Sequence, residues 1–369
     1  MTKTTLKSCA FAKAAGLAAA AASREKLRPL SMVSLAATKH WLTISGCDGT
    51  VQISVRASAE TGEDWSAAAP AALLARFAAA MPAGDTLLTF APGHLAIDGG
   101  GVSFGASTKE AWSAMVAPKG EAKAEVPASA LRELLRKTKF AISVDDTRKT
   151  ILGLNLVLGS GILGATATDG RRLAHAEWIA DEGADGDAEK FDVTLPRRTV
   201  DALAALLAKC RDEEEVSILA DGKAAMFTGS EWSVTSEVLA EPFPAWRQVV
   251  PKDVPHSARL SRVPFVEALE RAALAADDSG GVAVGLADGR ATFGARSAET
   301  SAGAEIAACR VQDGATYNGV VSARMMLDAL KALDDDEFRI EFSDDGAAKP
   351  IVFRNSAPWF CVLMPLWWS

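Results

Sequence analysis

Cysteine is scarce in this chain: Cys9, Cys47, Cys210, Cys309 and Cys361 are spread over 369 residues without one C-x-x-C pair. An odd, scattered set excludes a disulfide framework and a zinc site, and predicts a reducing cytoplasm. Histidine is scarcer still, and His40, His94, His175 and His256 stand apart, with no metal-ligand spacing. No apolar run approaches the roughly 18 residues that a membrane span needs. No G-x-S-x-G string occurs, and nothing pairs a nucleophile with its base. These gaps weaken the case for an enzyme and leave no cofactor or metal to expect. The first 23 residues, with early lysines and an alanine run, imitate a secretory leader, but Lys13 and Gly16 interrupt the apolar part. They read instead as an alanine-rich helix.

What is present is enough for a large core. At 369 residues and 49% hydrophobic, the chain predicts two or three domains. One plan recurs along it: an amphipathic helix, then a run of short strands. The predicted helices are 6–23, 70–81, 128–139, 197–209, 263–276 and 322–333, a long internal period. Leu131, Leu134 and Leu135, or Leu203, Leu206 and Leu207, show the spacing of one helical face. After the second, fourth and sixth helices, a polar turn feeds an alternating strand, as in Phe338-Arg339-Ile340-Glu341-Phe342. Six half-units pairing into three similar domains is the economical reading, with linkers near 117–124 and 251–257.

Charge is distributed unevenly. The net charge of −8 argues at first against a nucleic-acid binder. Yet Lys and Arg outnumber Asp and Glu on the six helical segments, although Glu suits helices equally well. An acidic protein with selectively basic helices predicts phosphate on the helical face. If those helices line a pore, six packed ~9–10 Å apart leave a hole on the order of 10 Å, whereas twelve leave roughly 25–30 Å. Only the larger hole admits a duplex, so two chains would have to close the ring.

Residues 145–178 carry the most local information. Two apolar runs flank Gly159-Ser160-Gly161, and Asp169-Gly170 breaks the pattern again before Arg171-Arg172-Leu173. This predicts an antiparallel meander. The string from Gly159 to Gly164 fits G-x-G-x-x-G, but strand-like residues follow where a dinucleotide site needs a helix, so a hairpin is expected. Asp334-Asp335-Asp336-Glu337 could hold Mg²⁺ in a metal-dependent nucleic-acid enzyme, yet it reads better as a solvated turn.

Thr168-Asp169-Gly170-Arg171-Arg172-Leu173-Ala174 closely resembles the Thr-Asp-Gly-x-Arg-Leu-Ala signature of bacterial DNA polymerase III β subunits, the replicative sliding clamps. Further similar segments follow in the family's order: 26–34, 127–153, 241–251 with Phe243-Pro244-Ala245-Trp246, then Lys349-Pro350-Ile351-Val352 and Val362-Leu363-Met364-Pro365-Leu366. The resemblance implies an α+β chain of three similar clamp domains, each two helices on antiparallel sheets, closing head to tail into a homodimeric ring. The implied domains are 1–120, 121–252 and 253–369. The implied task is to encircle duplex DNA and tether the polymerase without catalysis, in the cytoplasm. Implied partners are duplex DNA, the polymerase III α subunit, the clamp loader and other proteins carrying a clamp-binding linear motif. A diverged paralogue that serves a specialised polymerase, or confers inhibitor resistance, is the alternative.

Carried over by position, the partner-peptide cleft comprises Arg148, Thr168, Gly170, Arg171, Arg172, Leu173, Pro244, Val249, Val362, Met364, Pro365 and Leu366. Apolar members would form an adaptable pocket, with Arg and Thr at the rim for a peptide backbone or a Gln side chain. The ordinary alternative is core packing, above all for Met364 and Leu366. DNA-facing positions are Arg24, Lys26 and Lys149 on loops, with Arg136, Lys137, Arg197 and Arg198 on helices. Phe104 and Leu274 fall at the subunit seam; their small neighbours Ala106 and Ala275 imply a looser dimer. The chain departs from the family at Leu366-Trp367-Trp368-Ser369 and in the charge of Arg171, which implies altered affinity for standard clamp-binding peptides.

Overall fold

The computed structural model describes residues 1–23, 30–99, 102–107, 114–119, 123–180, 190–252, 254–306, 309–311, 315–343, 349–355 and 358–366. Arg24, Lys26, Trp367, Trp368 and Ser369 lie outside the described residues. Among the described residues one unit recurs six times: a short strand, a helix, then three further strands. The fifth copy carries one more short strand, Cys309–Val311. The helices are α1 (Ser8–Ala21), α2 (Ala71–Ala80), α3 (Ala128–Thr138), α4 (Arg197–Leu207), α5 (Arg262–Ala273) and α6 (Ala323–Lys331). They are slightly shorter than the periodicity predicts because a strand runs directly into each helix. Lys7, Pro70, Ser261 and Ser322 keep extended backbone at the junctions, and only the Ser322 hydroxyl accepts a capping N–H, from Met325.

The chain gathers into two compact units, Met1–Arg132 with Asp187–Ala240, and Glu133–Gly186 with Glu241–Ser369. In the first, a twelve-stranded sheet is continuous because the long strand Val51–Thr61 pairs with Trp232–Glu237 toward its start and with Thr2–Lys7 toward its end. In the second, Arg172–Ile179 pairs with Trp359–Leu363, which sets Leu173 opposite Val362 and His175 opposite Phe360. Two edge-to-edge pairings thus stitch the segment 121–252 to different neighbours, its 187–240 stretch to the first segment and its 133–186 stretch to the last. Contacts therefore group differently from the expected sequence segments.

Packing in each unit follows from side-chain size. Alanines let α1 lie directly on strand Trp41–Cys47; a Cβ at Gly46 would sit 1.9 Å from the Ala18 carbonyl oxygen. In the second unit Phe265 of α5 meets Phe293 and Phe338 edge-on, at 4.8 and 5.3 Å between ring centres. The Gly159-to-Gly164 string is a hairpin: Gly159 pairs with Ile162, and Ser160 and Gly161 take φ of 53° and 71°. Both central residues at positive φ make the tight turn that suits strand twist.

The basic helices have a structural explanation that the sequence does not reveal. Arg132 donates to the carbonyls of Leu207 and Cys210, just past α4. Arg198 donates to Ala20 O in the last turn of α1 at 2.8 Å and pairs with Asp48. Arg136 donates to Ala332 O at the end of α6 and binds Glu133 and Asp334. Each guanidinium covers carbonyls at a helix C-terminus, where positive charge is favoured. Lys137 corrects the DNA-facing set: its side chain is 10% exposed and its ammonium binds Glu133 at 2.7 Å. Burial leaves it little charge to show to phosphate.

Candidate functional site

The strand pair 172–179 and 359–363 builds the site. Alternation in a strand sends Leu173, His175 and Glu177 to one face, beside Phe360 and Val362. Leu173, Val352 and Val362 form a buried cluster there, against which Trp246, Val250 and Phe360 pack. A cavity of about 790 Å³ opens over it. Arg148, Thr168, Gly170, Arg171, Arg172, Leu173, Pro244, Val249, Val362 and Met364 line it, with Lys149, Glu241 and Trp246. Val249 and Met364 are 62% and 44% exposed, so apolar surface faces water here.

The Thr-Asp-Gly-Arg-Arg loop holds itself in shape. The Asp169 carboxylate accepts the backbone N–H groups of Arg171 and Arg172, both at 2.9 Å. The Thr168 hydroxyl accepts from Gly170 N and donates to Arg172 O at 2.7 Å. Gly170 has φ +84°, and a Cβ there would lie 2.1 Å from the Arg148 guanidinium. The glycine therefore serves two needs, a left-handed turn and room for the arginine that donates to Asp169 O. Arg172 borders the cavity but is itself buried. It binds Asp169, Asp328 of α6 at 2.7 Å and the Phe140 carbonyl at 2.6 Å. It positions the loop and leaves polar rim contacts to Arg148, Thr168 and Arg171.

His175 lies behind Trp246, their ring centres 4.5 Å apart. Its Nε2 bonds Glu177 at 3.0 Å and its Nδ1 meets the Thr166 hydroxyl at 2.8 Å. Burial pulls its pKa below the ordinary 6.5, against the opposing pull of Glu177. A histidine held neutral in the fold contributes stability that is complete above the unfolded value. That contribution is lost as pH falls through 6.5 toward the folded value. Thermal melts of the wild type should therefore decline between pH 7 and 5, and His175→Gln should flatten that decline. Parallel slopes would contradict it.

Other predicted positions fall elsewhere. Pro365 and Leu366 lie beyond the cavity; Leu366 N donates to Val320 O, and its side chain lines a separate groove with Val284 and Phe293. Lys149, expected near DNA, borders the cleft. Arg197 begins α4 half-buried. Phe104 stacks on Phe77 at 4.8 Å, while Leu274 is 87% exposed. Ala275 is buried within its own chain, and nothing of the Ala106 side chain is described. The acidic turn is structural: Asp334 binds Arg136, Asp335 accepts from Asn355, and Arg262 donates to the Asp335 carbonyl. Sequence reasoning missed Trp246 and Glu241 as lining residues. Trp246 stands in the 241–251 segment that resembles the family, but its position there gave no sign of a lining role.

The described residues thus form repeated strand–helix–strand units, with an open apolar cleft beside a self-tied loop. The family model of the DNA polymerase III β subunit central domain matches residues 125–245, and that of its C-terminal domain matches 247–361. The chain belongs to the bacterial β sliding clamp family. A Caulobacter vibrioides β sliding clamp is 29% identical over 99% of both chains. The crystal structure of a C. crescentus β sliding clamp, 28% identical, superimposes with a TM-score of 0.89 over 100% of both chains. The DNA polymerase III β subunit from Pseudomonas aeruginosa, 24% identical, shares the fold with a TM-score of 0.91 over 99% of each chain.

Proposed function

We propose that two copies of this chain close head to tail around duplex DNA, and that the 790 Å³ cleft docks a linear peptide of each client. The protein is a DNA polymerase processivity factor, a sliding clamp without a catalytic task of its own. Its clients are the polymerase III α subunit, the clamp loader and other proteins with a clamp-binding motif. The observation that carries the cleft assignment is exposed apolar surface, Val249 and Met364 over the buried Leu173, beside a hydrogen-bonded polar loop: the apolar groups for side chains, Arg148, Thr168 and Arg171 for the peptide backbone. An extended peptide in such a groove takes affinity from apolar anchors and register from polar rim contacts. The segments 1–120, 121–252 and 253–369 serve as the three domains, a division supported by the limits of the two matched family models. The cytoplasm is the proposed compartment. Cys9, Cys47, Cys210 and Cys361 are free thiols, which suits a reducing environment. No helix among the described residues is long and apolar enough to cross a membrane.

Enclosure makes a sharp prediction. Once loaded onto nicked circular DNA, the protein should stay bound through gel filtration and leave when a restriction enzyme linearises the circle. Equal retention on circular and linear DNA would point to direct contact and overturn the ring.

A further inference from the structure

A second cavity, of about 440 Å³, opens on the other side of Trp246. It lies over the same face of the same strand pair: Leu173 lines the first cavity, His175 and Glu177 the second. Four residues of strand separate Leu173 from Glu177, roughly 13 Å at the usual rise. Four residues of extended peptide cover that distance. Trp246 lines both cavities and forms the wall between them.

The second chamber differs in chemistry from the first. Trp246, Phe360, Val250 and Pro251 give it an apolar, largely aromatic lining. Its rim carries three cations, Arg247, Lys252 and Arg354, against one carboxylate, Glu177. Arg354 is already neutralised by Glu341 at 2.8 Å, and Glu177 is engaged by His175. Arg247 lies 4.4 Å over the Trp246 ring, and neither it nor Lys252 has an ion pair among the described residues. An aromatic side chain next to a carboxylate satisfies both features. The ring packs among Phe360, Val250 and Pro251 at the indole edge, and the acid meets Arg247 and Lys252.

We propose that the cleft continues past Trp246 into this chamber, which receives an acidic, aromatic-bearing segment flanking the docked motif of a client protein. The proposal rests on the cleft reading above. It makes Arg247 and Lys252 selectors among clients: those with acidic flanks are favoured over those with basic ones.

Fluorescence anisotropy with the full-length protein tests it. The core probe is fluorescein-labelled Gln-Ala-Ser-Leu-Phe, with a glutamine for the polar rim and Leu-Phe for the apolar base. Longer probes add Gly-Trp-Asp-Asp or Gly-Trp-Lys-Lys to either end. One acidic extension should bind about tenfold tighter than its lysine counterpart. The double variant Arg247→Glu/Lys252→Glu should erase that gain and leave the core probe's affinity unchanged, since neither residue lines the first cavity. If the core probe binds but neither acidic extension surpasses its lysine counterpart, the second chamber is refuted and the cleft stands. A gain that survives in the double variant refutes it equally, by placing the charge reading at another rim. If the core probe fails to bind, the cleft reading falls and this inference with it.

Discussion

Leu274→Asp is expected to yield a folded protomer that sediments as a monomer at concentrations where the wild type is a dimer. Leu274 follows the last turn of α5 and is 87% exposed, so nothing in its own chain depends on it. Its far-UV circular dichroism should match the wild type, and its melting temperature should equal that of wild-type protein diluted until it is monomeric. A leucine buried at a seam contributes ~1.5–3 kcal/mol. A head-to-tail ring has two equivalent seams, so the loss counts twice, ~3–6 kcal/mol, or about 10²–10⁴-fold in the dissociation constant. Placing a carboxylate there adds its desolvation cost. Retention on circular DNA should vanish with the dimer, while binding of the core peptide should persist. Analytical ultracentrifugation decides the matter: a variant dimer as tight as wild type would remove Leu274 from the seam. Phe104, stacked on Phe77, is the second position assigned to that seam.

The repeat, the helices and most of the cleft were legible because each rests on local pattern. Leu131, Leu134 and Leu135 state a helical face, and all three are buried. The Thr168-to-Leu173 string fixes its own loop through Asp169 and Gly170, and such self-contained geometry survives transfer between chains. What sequence could not supply was the identity of long-range partners. Lys137 looks like any surface lysine of a basic helix, yet its side chain is buried against Glu133 four residues earlier, and its backbone carbonyl accepts from Trp359 more than two hundred residues later. Nor does the pattern reveal that Arg136 and Arg198, expected to face DNA, also cover helix ends. Leu366 follows Met364 by two residues, but its backbone turns to bridge Val320 and carries the side chain into another groove.

Arg172 offers the strongest test of how the cleft is held. Its guanidinium is 8% exposed and serves three acceptors on different elements: Asp169 in the loop, Asp328 on α6 and the Phe140 carbonyl. Arg172→Ala removes the cation and strands the Asp169 carboxylate, itself 17% exposed. Breaking a buried pair from one side costs ~3–5 kcal/mol, because the remaining charge loses its partner without regaining water. In a unit of this size that corresponds to a fall in melting temperature of roughly 6–20 °C. The consequence for binding is separate. Asp169 organises the Arg171 and Arg172 amides, so a displaced carboxylate loosens the loop that presents Thr168 and Arg171 to the peptide. Core-peptide affinity, measured well below the variant's melting point, should fall about ten- to hundredfold. The double variant Arg172→Leu/Asp169→Asn separates the two effects. With the stranded charge gone, much of the stability should return, since an apolar side chain replaces a buried ion at little cost. Peptide affinity should not return with it, because an amide at 169 accepts those two backbone N–H groups more weakly than a carboxylate does. Recovery of stability and affinity together would mean that Arg172 supports the unit as a whole and leaves loop geometry to Gly170 and Arg148.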